Sequence, residues 1–280
     1  MNIQRALQKA NLFLREKNIK TPDLDTQILM SKVLKKKKEF IILNLDIEIT
    51  DKNLEYFNQL VDQRAKGKPI AYLTEKKSFW KYEFTINKEV LIPRPDTEII
   101  VEQVLALTKN KEKMNLLDVG IGSGCILLSI LKDKKSFLGT GIDINNKSLT
   151  ICRINGHNLD VNNRLKLFKS DIDNFNNGKY DLIISNPPYI KKAKLKYLDK
   201  DVIGFEPRQA LDGGIEGLSE IRKVINKSSE LIKKNGFLVL EMGFDQRRQV
   251  KKILENNGFY IKKIVKDLSN NDRCIISIKI

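Results

Sequence analysis

Asn186-Pro187-Pro188-Tyr189 is the stretch whose residue types are best suited to chemistry. It follows residues 181–185, a short run that is apolar and β-branched at its centre and therefore reads as a buried strand. Neither proline can donate a ladder hydrogen bond, so the strand must end here. Each proline has a fixed φ, and the residue before a proline is kept out of the α region. The result is a stiff turn at the carboxyl end of a strand, where open α/β sheets hold their ligands. Such a turn suits a flat NH2 group. The Asn186 side-chain oxygen can accept one amide hydrogen, the Pro187 carbonyl the other, and Tyr189 can lie against the planar face. Two acceptors orient the nitrogen and leave its lone-pair direction open to an electrophile. A lone Asn-Pro would read as an ordinary strand end. The four residues together favour function, provided a cofactor loop lies upstream.

Such a loop is present. Residues 116–119 are an apolar strand, followed by Gly120-Ile121-Gly122-Ser123-Gly124 and a helical run over 125–132. Glycines let the backbone turn sharply and approach a ligand, and a helix N-terminus favours polar or anionic groups. The turn alone fits nucleotides, flavins and S-adenosylmethionine alike, although its spacing departs from the dinucleotide fingerprint. A second strand, 137–142, ends at Asp143, whose carboxylate can hold both hydroxyls of a ribose. Asp171 and Ile172 follow a third strand over 165–169 and form a plausible adenine edge.

These residues need a frame. From 116 onward strands and helices alternate, which predicts an α/β domain with a mostly parallel sheet covered on both faces. Strands at 260–265 and 274–280 are joined by a connection too short for a crossover helix, so the last strand is expected to be antiparallel. A long loop over 191–217 marks a functional segment. Residues 1–70 read as a small helical domain: Ile3, Ala6, Leu7, Ala10, Phe13 and Leu14 follow the helical period, and Thr21-Pro22 is a cap followed by a first-turn proline. Residues 71–92 are expected to hold a linking β-hairpin, pairing 78–86 with 90–92, with Trp80 as an anchor, and residues 93–280 to form the catalytic domain.

Composition narrows the class. The chain has 280 residues, 41% hydrophobic and 31% charged, and no run of eighteen apolar residues. Its beginning lacks an apolar signal core, so a cytoplasmic location and no membrane partner are expected. Three scattered cysteines argue against a disulfide framework, and the single histidine argues against a zinc site or a Ser-His triad. The net charge is +16, yet 40 of the 51 basic residues are lysine and only 11 arginine. Runs such as 35–38 and 191–196 read first as solvated faces, and no direct nucleic-acid binding is expected.

Five segments carry a resemblance over nearly the whole length: Pro93-Arg94-Pro95-Asp96-Thr97-Glu98, Asp118-Val119 with Gly120 to Gly124, Asn186 to Ile190, Phe205-Glu206-Pro207 with Ala210-Leu211, and Asn271-Asp272-Arg273. In these the chain resembles the bacterial release-factor glutamine methyltransferases. The resemblance implies a Rossmann-like S-adenosylmethionine-dependent methyltransferase sheet beside the helical domain. It implies methylation of the N5 amide nitrogen of the glutamine in the Gly-Gly-Gln loop of peptide-chain release factors, by a monomer. Gly120, Ile121, Gly122, Ser123 and Gly124 would line the methionine part of the cofactor, Asp143 the ribose, and Asp171 and Ile172 the adenine. Asn186 and Pro187 would hold the acceptor amide, with Pro188 beside them and Tyr189 closing the pocket. Many family members carry an aromatic residue where this chain has Ile172, a departure that bears on cofactor affinity. The Asn-Pro-Pro-Tyr turn is shared with adenine amino-methyltransferases, but this chain has no sizeable base-recognition insertion. A non-catalytic binding module is disfavoured by the intact cofactor loop.

Overall fold

Asn2 opens the first helix, its side chain accepting the Arg5 N–H at 3.1 Å, in a computed structural model that describes residues 1–280. That helix, α1 (Ile3–Glu16), buries Ile3, Ala6, Ala10 and Leu14, a single stripe at helical spacing. α2 (Pro22–Leu34) begins with a proline, whose missing N–H would have been unpaired anyway. α3 (Lys38–Leu43), α4 (Asp51–Ala65) and α5 (Ile70–Thr74) complete a bundle around Leu29, Met30, Ile41 and Phe57. One ion pair is buried within it: Arg64 Nε meets Asp25 Oδ2 at 2.7 Å, joining α4 to α2, and Arg64 also donates to the Lys68 carbonyl at 3.1 Å. The chain divides into two compact units, Met1–Lys76 with Asp199–Phe205, and Lys77–Leu198 with Glu206–Ile280.

The hairpin differs from the sequence expectation. It pairs β1 (Lys76–Phe79) with β2 (Tyr82–Thr85), so the turn falls at Trp80-Lys81 and not at residues 87–89. Trp80 takes φ +57, unusual for a bulky residue, and side chains hold it there. Its N–H donates to Glu98 at 2.8 Å, its indole N–H donates to Asp133 at 3.1 Å, and the Tyr82 hydroxyl donates to the same Asp133. Residues 90–92 form no strand because the Ile92 N–H goes to the Glu206 carboxylate at 3.1 Å.

After a 3-10 turn at Pro95–Thr97 come α6 (Glu98–Leu107), β3 (Asn115–Val119), α7 (Cys125–Asp133), β4 (Leu138–Asp143), α8 (Asn146–Asn158) and β5 (Leu165–Lys169). The chain then returns through β6 (Tyr180–Ser185), α9 (Lys200–Phe205), α10 (Ser219–Leu231), β7 (Ile232–Glu241), α11 (Arg247–Asn256), β8 (Phe259–Lys266) and β9 (Asp272–Lys279). The strand order is β5-β4-β3-β6-β7-β9-β8, parallel from β5 to β7, with β9 antiparallel to both of its neighbours. This is the expected α/β sheet with an antiparallel last strand. β3 and β6 read as apolar runs because both faces of the sheet are covered by helices. The expected loop over 191–217 contains α9, which groups with the helical unit. No helix is long and apolar enough to cross a membrane.

The topology makes the crevice. From β3 the chain moves outward to β4 and β5, then returns to place β6 on the other side of β3. Connections on the two sides of that switch point run opposite ways, which opens a gap at the carboxyl ends. In the register, Val119 stands between Ile142 and Ser185. Gly120, Asp143 and Asn186 are therefore each one residue beyond a single row across three strands.

Candidate active site

The glycine turn is pinned to the neighbouring strand: the Gly120 and Ile121 N–H groups both donate to the Ile142 carbonyl, at 2.9 and 3.0 Å. Its glycines are needed for different reasons. Gly120 has φ +74 and Gly122 φ +54, and a Cβ on Gly120 would meet nothing within 4 Å, because that side faces a cavity. Gly124, at φ +82, has no such room: a Cβ there would lie 2.7 Å from both Cys152 Sγ and Leu128 Cδ1. Gly120 and Gly122 thus face the cavity, whereas Gly124 permits α7 to pack against α8. The cavity, about 940 Å³, does not include Ile121, Ser123 or Gly124 in its lining. Of the five residues expected against the cofactor, Gly120 and Gly122 border this cavity. Ile121 and Ser123 turn into the interior, where both are buried.

Asp143 does line the cavity. Its Oδ2 accepts the Gly122 N–H at 3.0 Å and its Oδ1 the Asn145 N–H at 2.8 Å. Burial raises its pKa, and those two donors work against the rise. Each carboxylate oxygen keeps a further lone pair for a hydroxyl. Asp171 and Ile172 line the cavity as well, as does Lys223, a cation that the sequence reading missed because it sits mid-way along α10. Behind the turn, Asp118 is fully buried, and burial pushes its pKa up to about 7 against the Leu127 N–H. Its Oδ2 has no hydrogen-bond partner. A single carboxylate inside the apolar strand Asn115–Val119 was the legible signal for it.

Asn186, Pro187 and Pro188 reach the cavity from the other side of the switch point. The Asn186 amide is held: Nδ2 donates to Thr97 Oγ1 at 3.1 Å, which leaves Oδ1 available. Tyr189, expected to close the pocket, does not border the cavity itself. Its ring packs against the sheet core, and its hydroxyl donates to Glu241 Oε1 at 3.1 Å and accepts from Arg273 Nη1 at 3.3 Å. Burial, and then the neighbouring Glu241 charge, raise its pKa, so it stays a neutral phenol. Arg273 is itself held by Asp267 at 2.9 Å and Asp96 at 3.6 Å.

Two groups of sequence segments therefore meet at this turn. Pro93 to Glu98 supplies Thr97 under Asn186, and Asn271 to Arg273 supplies the guanidinium on Tyr189. Glu206 ties the first of these down, pairing with Arg94 while accepting the Ile92 N–H. Glu241 was not singled out from the sequence, although a carboxylate at the end of an apolar run was a signal. It is fully buried, and burial pushes its pKa up to about 7, against the Thr97 hydroxyl, Arg273 and Tyr189.

The cavity thus has a glycine-backed wall, a carboxylate suited to a diol, and, on a rigid turn, an asparagine whose amide nitrogen is held and whose oxygen is left available. That arrangement can hold a small charged cofactor beside a planar amide. Residues 5–74 match the family described as PrmC N-terminal domain, and residues 96–262 match the methyltransferase small domain. A release factor glutamine methyltransferase of Clostridium acetobutylicum is 38% identical, with 100% of this chain and 99% of that protein covered. One of Caulobacter vibrioides is 32% identical, covering 100% and 97%. Among solved structures, the ribosomal protein L11 methylase of Lactobacillus delbrueckii subsp. bulgaricus superposes with a TM-score of 0.52 at 16% identity, over 70% of this chain and 84% of that one, a likeness of fold.

Proposed function

The chain belongs to the release factor glutamine methyltransferase family, and we propose that it transfers a methyl group from S-adenosylmethionine to a glutamine side-chain nitrogen, N5, in the Gly-Gly-Gln motif of peptide-chain release factors. The observation that carries this reading is the Asn186 amide, held by Thr97 with its oxygen free, and standing, like Gly120 and Asp143, one residue beyond the row of Ile142, Val119 and Ser185.

The residues present fit the cofactor. Gly120 and Gly122 offer a wall without side chains, where a Cβ on Gly120 would point into open space. Asp143 has lone pairs for the ribose hydroxyls, and Asp171 and Ile172 border the space for adenine. The buried, unpartnered Asp118 Oδ2 lies behind the turn and, when its carboxyl is ionised, is complementary to a cationic ligand. S-adenosylmethionine supplies the methyl group, made electrophilic by its sulfonium.

The work left to the protein is alignment. A neutral amide is a poor nucleophile, so holding it in line contributes through lost translational and rotational freedom. Asn186 Oδ1 and the Pro187 carbonyl accept the two amide hydrogens and stabilise the positive charge that develops on nitrogen. Tyr189 keeps the turn in place from behind, through Glu241 and Arg273. The proton leaves to water afterwards, so no base is required. His157, the sole histidine, is exposed on α8 and outside the cavity lining. The helical unit, which exposes Leu12 and Leu43, is read as the docking surface for the protein substrate.

The test is transfer of labelled methyl to an intact release factor. Replacing the Gly-Gly-Gln glutamine by alanine should abolish labelling. Asn186→Ala should lower kcat by about a hundredfold or more while cofactor affinity is largely kept. Mass spectrometry finding the methyl elsewhere on the protein, or only on nucleic acid, would overturn the reading.

A further inference from the structure

An asparagine can present either end of its amide, and only the oxygen can accept a substrate N–H. Thr97 is buried in the 3-10 turn before α6, and its Oγ1 accepts from Asn186 Nδ2 at 3.1 Å. A hydroxyl has one proton to donate, and beside it lies the buried Glu241 carboxyl, whose Oε2 has no hydrogen-bond partner and is open to that proton. A charged acceptor outcompetes a neutral amide oxygen for that proton. A proton sent to Glu241 would leave Thr97 only lone pairs for Asn186, which then turns its NH2 toward Thr97, as the 3.1 Å bond has it, and its oxygen away. We propose that Thr97 is a positioning residue which, through the Glu241 carboxylate, fixes the end of the Asn186 amide that faces the acceptor.

The role presupposes the methyl transfer proposed above and assigns its geometry to two residues outside the cavity lining. The groups facing Glu241 are Thr97 and Asp96 from the 3-10 turn, Tyr189 from the turn after β6, Arg273 and Cys274 from β9, and Cys125 from α7. Arg273 favours the carboxylate and Asp96 opposes it. When Glu241 is protonated it becomes a donor, Thr97 can turn its own proton to Asn186, and the amide loses its reason to face outward. The relay therefore has a polarity that depends on the charge of Glu241.

The experiment uses the full-length protein, labelled S-adenosylmethionine at saturation and intact release factor. Thr97→Val removes the hydroxyl at nearly constant volume. It should lower kcat about ten- to a hundredfold, the scale set by a misplaced acceptor. Cofactor affinity should stay within about twofold, since that ligand is held elsewhere, and Thr97→Ser should recover most of kcat as the hydroxyl returns. In the wild type, kcat should rise with pH through the titration of Glu241, and Glu241→Gln should flatten that rise. A Thr97→Val protein at wild-type kcat overturns the role. So does a Thr97→Ser protein as slow as Thr97→Val, because bulk and not the hydroxyl would then matter. Should Thr97→Val fail to fold, Thr97→Ser and Glu241→Gln decide: low activity in the first, or an unchanged pH profile in the second, overturns it. A wild-type protein that methylates no release factor overturns the proposed function and this role with it, whereas transfer by the wild type with indifferent variants overturns the role alone.

Discussion

Asp118 is buried behind the glycine turn, and its ionised form is held there at the expense of stability. Burial pushes its folded-state pKa up to about 7, well above the usual carboxylate range near 4. Between those values the folded protein keeps a proton that the unfolded chain releases, so stability falls as pH rises through that window. It is intact below about pH 4 and fully lost above about pH 7, by roughly 4 kcal/mol at most for a shift of this size. Asp118→Asn should therefore raise the urea midpoint of the cofactor-free protein at pH 8 and change it little at pH 4. An equal change at both pH values would mean that Asp118 is not the titrating group. Asp143, by contrast, has two backbone donors to oppose its burial and faces the cavity, which suits it to a ligand.

At the scale of elements, the strand–turn–helix from β3 to α7 separates two uses of glycine that look alike in sequence. Gly124→Ala would drive a methyl against Cys152 and Leu128 at 2.7 Å in addition to straining φ +82. Overpacking of that kind costs about 1–3 kcal/mol beyond the backbone strain. Gly120→Ala strains φ +74 but meets nothing, so its methyl points into the cavity. The pair should dissociate: thermal melts should place Gly124→Ala well below Gly120→Ala, while calorimetry should find cofactor binding weakened most in Gly120→Ala. Equal melting temperatures would remove the packing role of Gly124. The hairpin belongs to this scale too. Its turn was misplaced because Trp80 reads as a strand residue, and nothing local reveals that Glu98 and Asp133 hold it at φ +57.

For the whole molecule, the second compact unit takes in the chain from Lys77, so it includes β2 of the hairpin as well as residues 93 onward. The β2 backbone is tied into it: Asn155 accepts the Thr85 N–H at 2.7 Å and donates to the Thr85 and Ser123 carbonyls, both at 2.9 Å. Asn155 thus joins the hairpin to the glycine turn itself. A fragment of residues 77–280 should bind S-adenosylmethionine close to the intact affinity, whereas a fragment of residues 93–280 should bind several-fold more weakly, since loss of one such bond is worth about 1 kcal/mol. Both should methylate release factor far more slowly than the full chain if the helical unit docks the substrate. Full-rate methylation by the 77–280 fragment would refute the docking role.

The sequence by itself determined the class of sheet, the helical start, and the residues that end β3, β4 and β6. Those follow from local rules: apolar runs, glycines after a strand, prolines that cannot extend a ladder. Only the tertiary structure decided that Gly120, Asp143 and Asn186 stand in one row, because strand order and register are relations between distant segments. It also decided that Tyr189 faces the core. A tyrosine's pattern in sequence is the same whether its hydroxyl reaches a ligand or, as here, Glu241 and Arg273, 52 and 84 residues away along the chain. The same holds for Thr97, whose use depends on Asn186 lying 89 residues further on. Local preference can end a strand, but the direction of a hydrogen bond is set by whichever partner folding brings beside it.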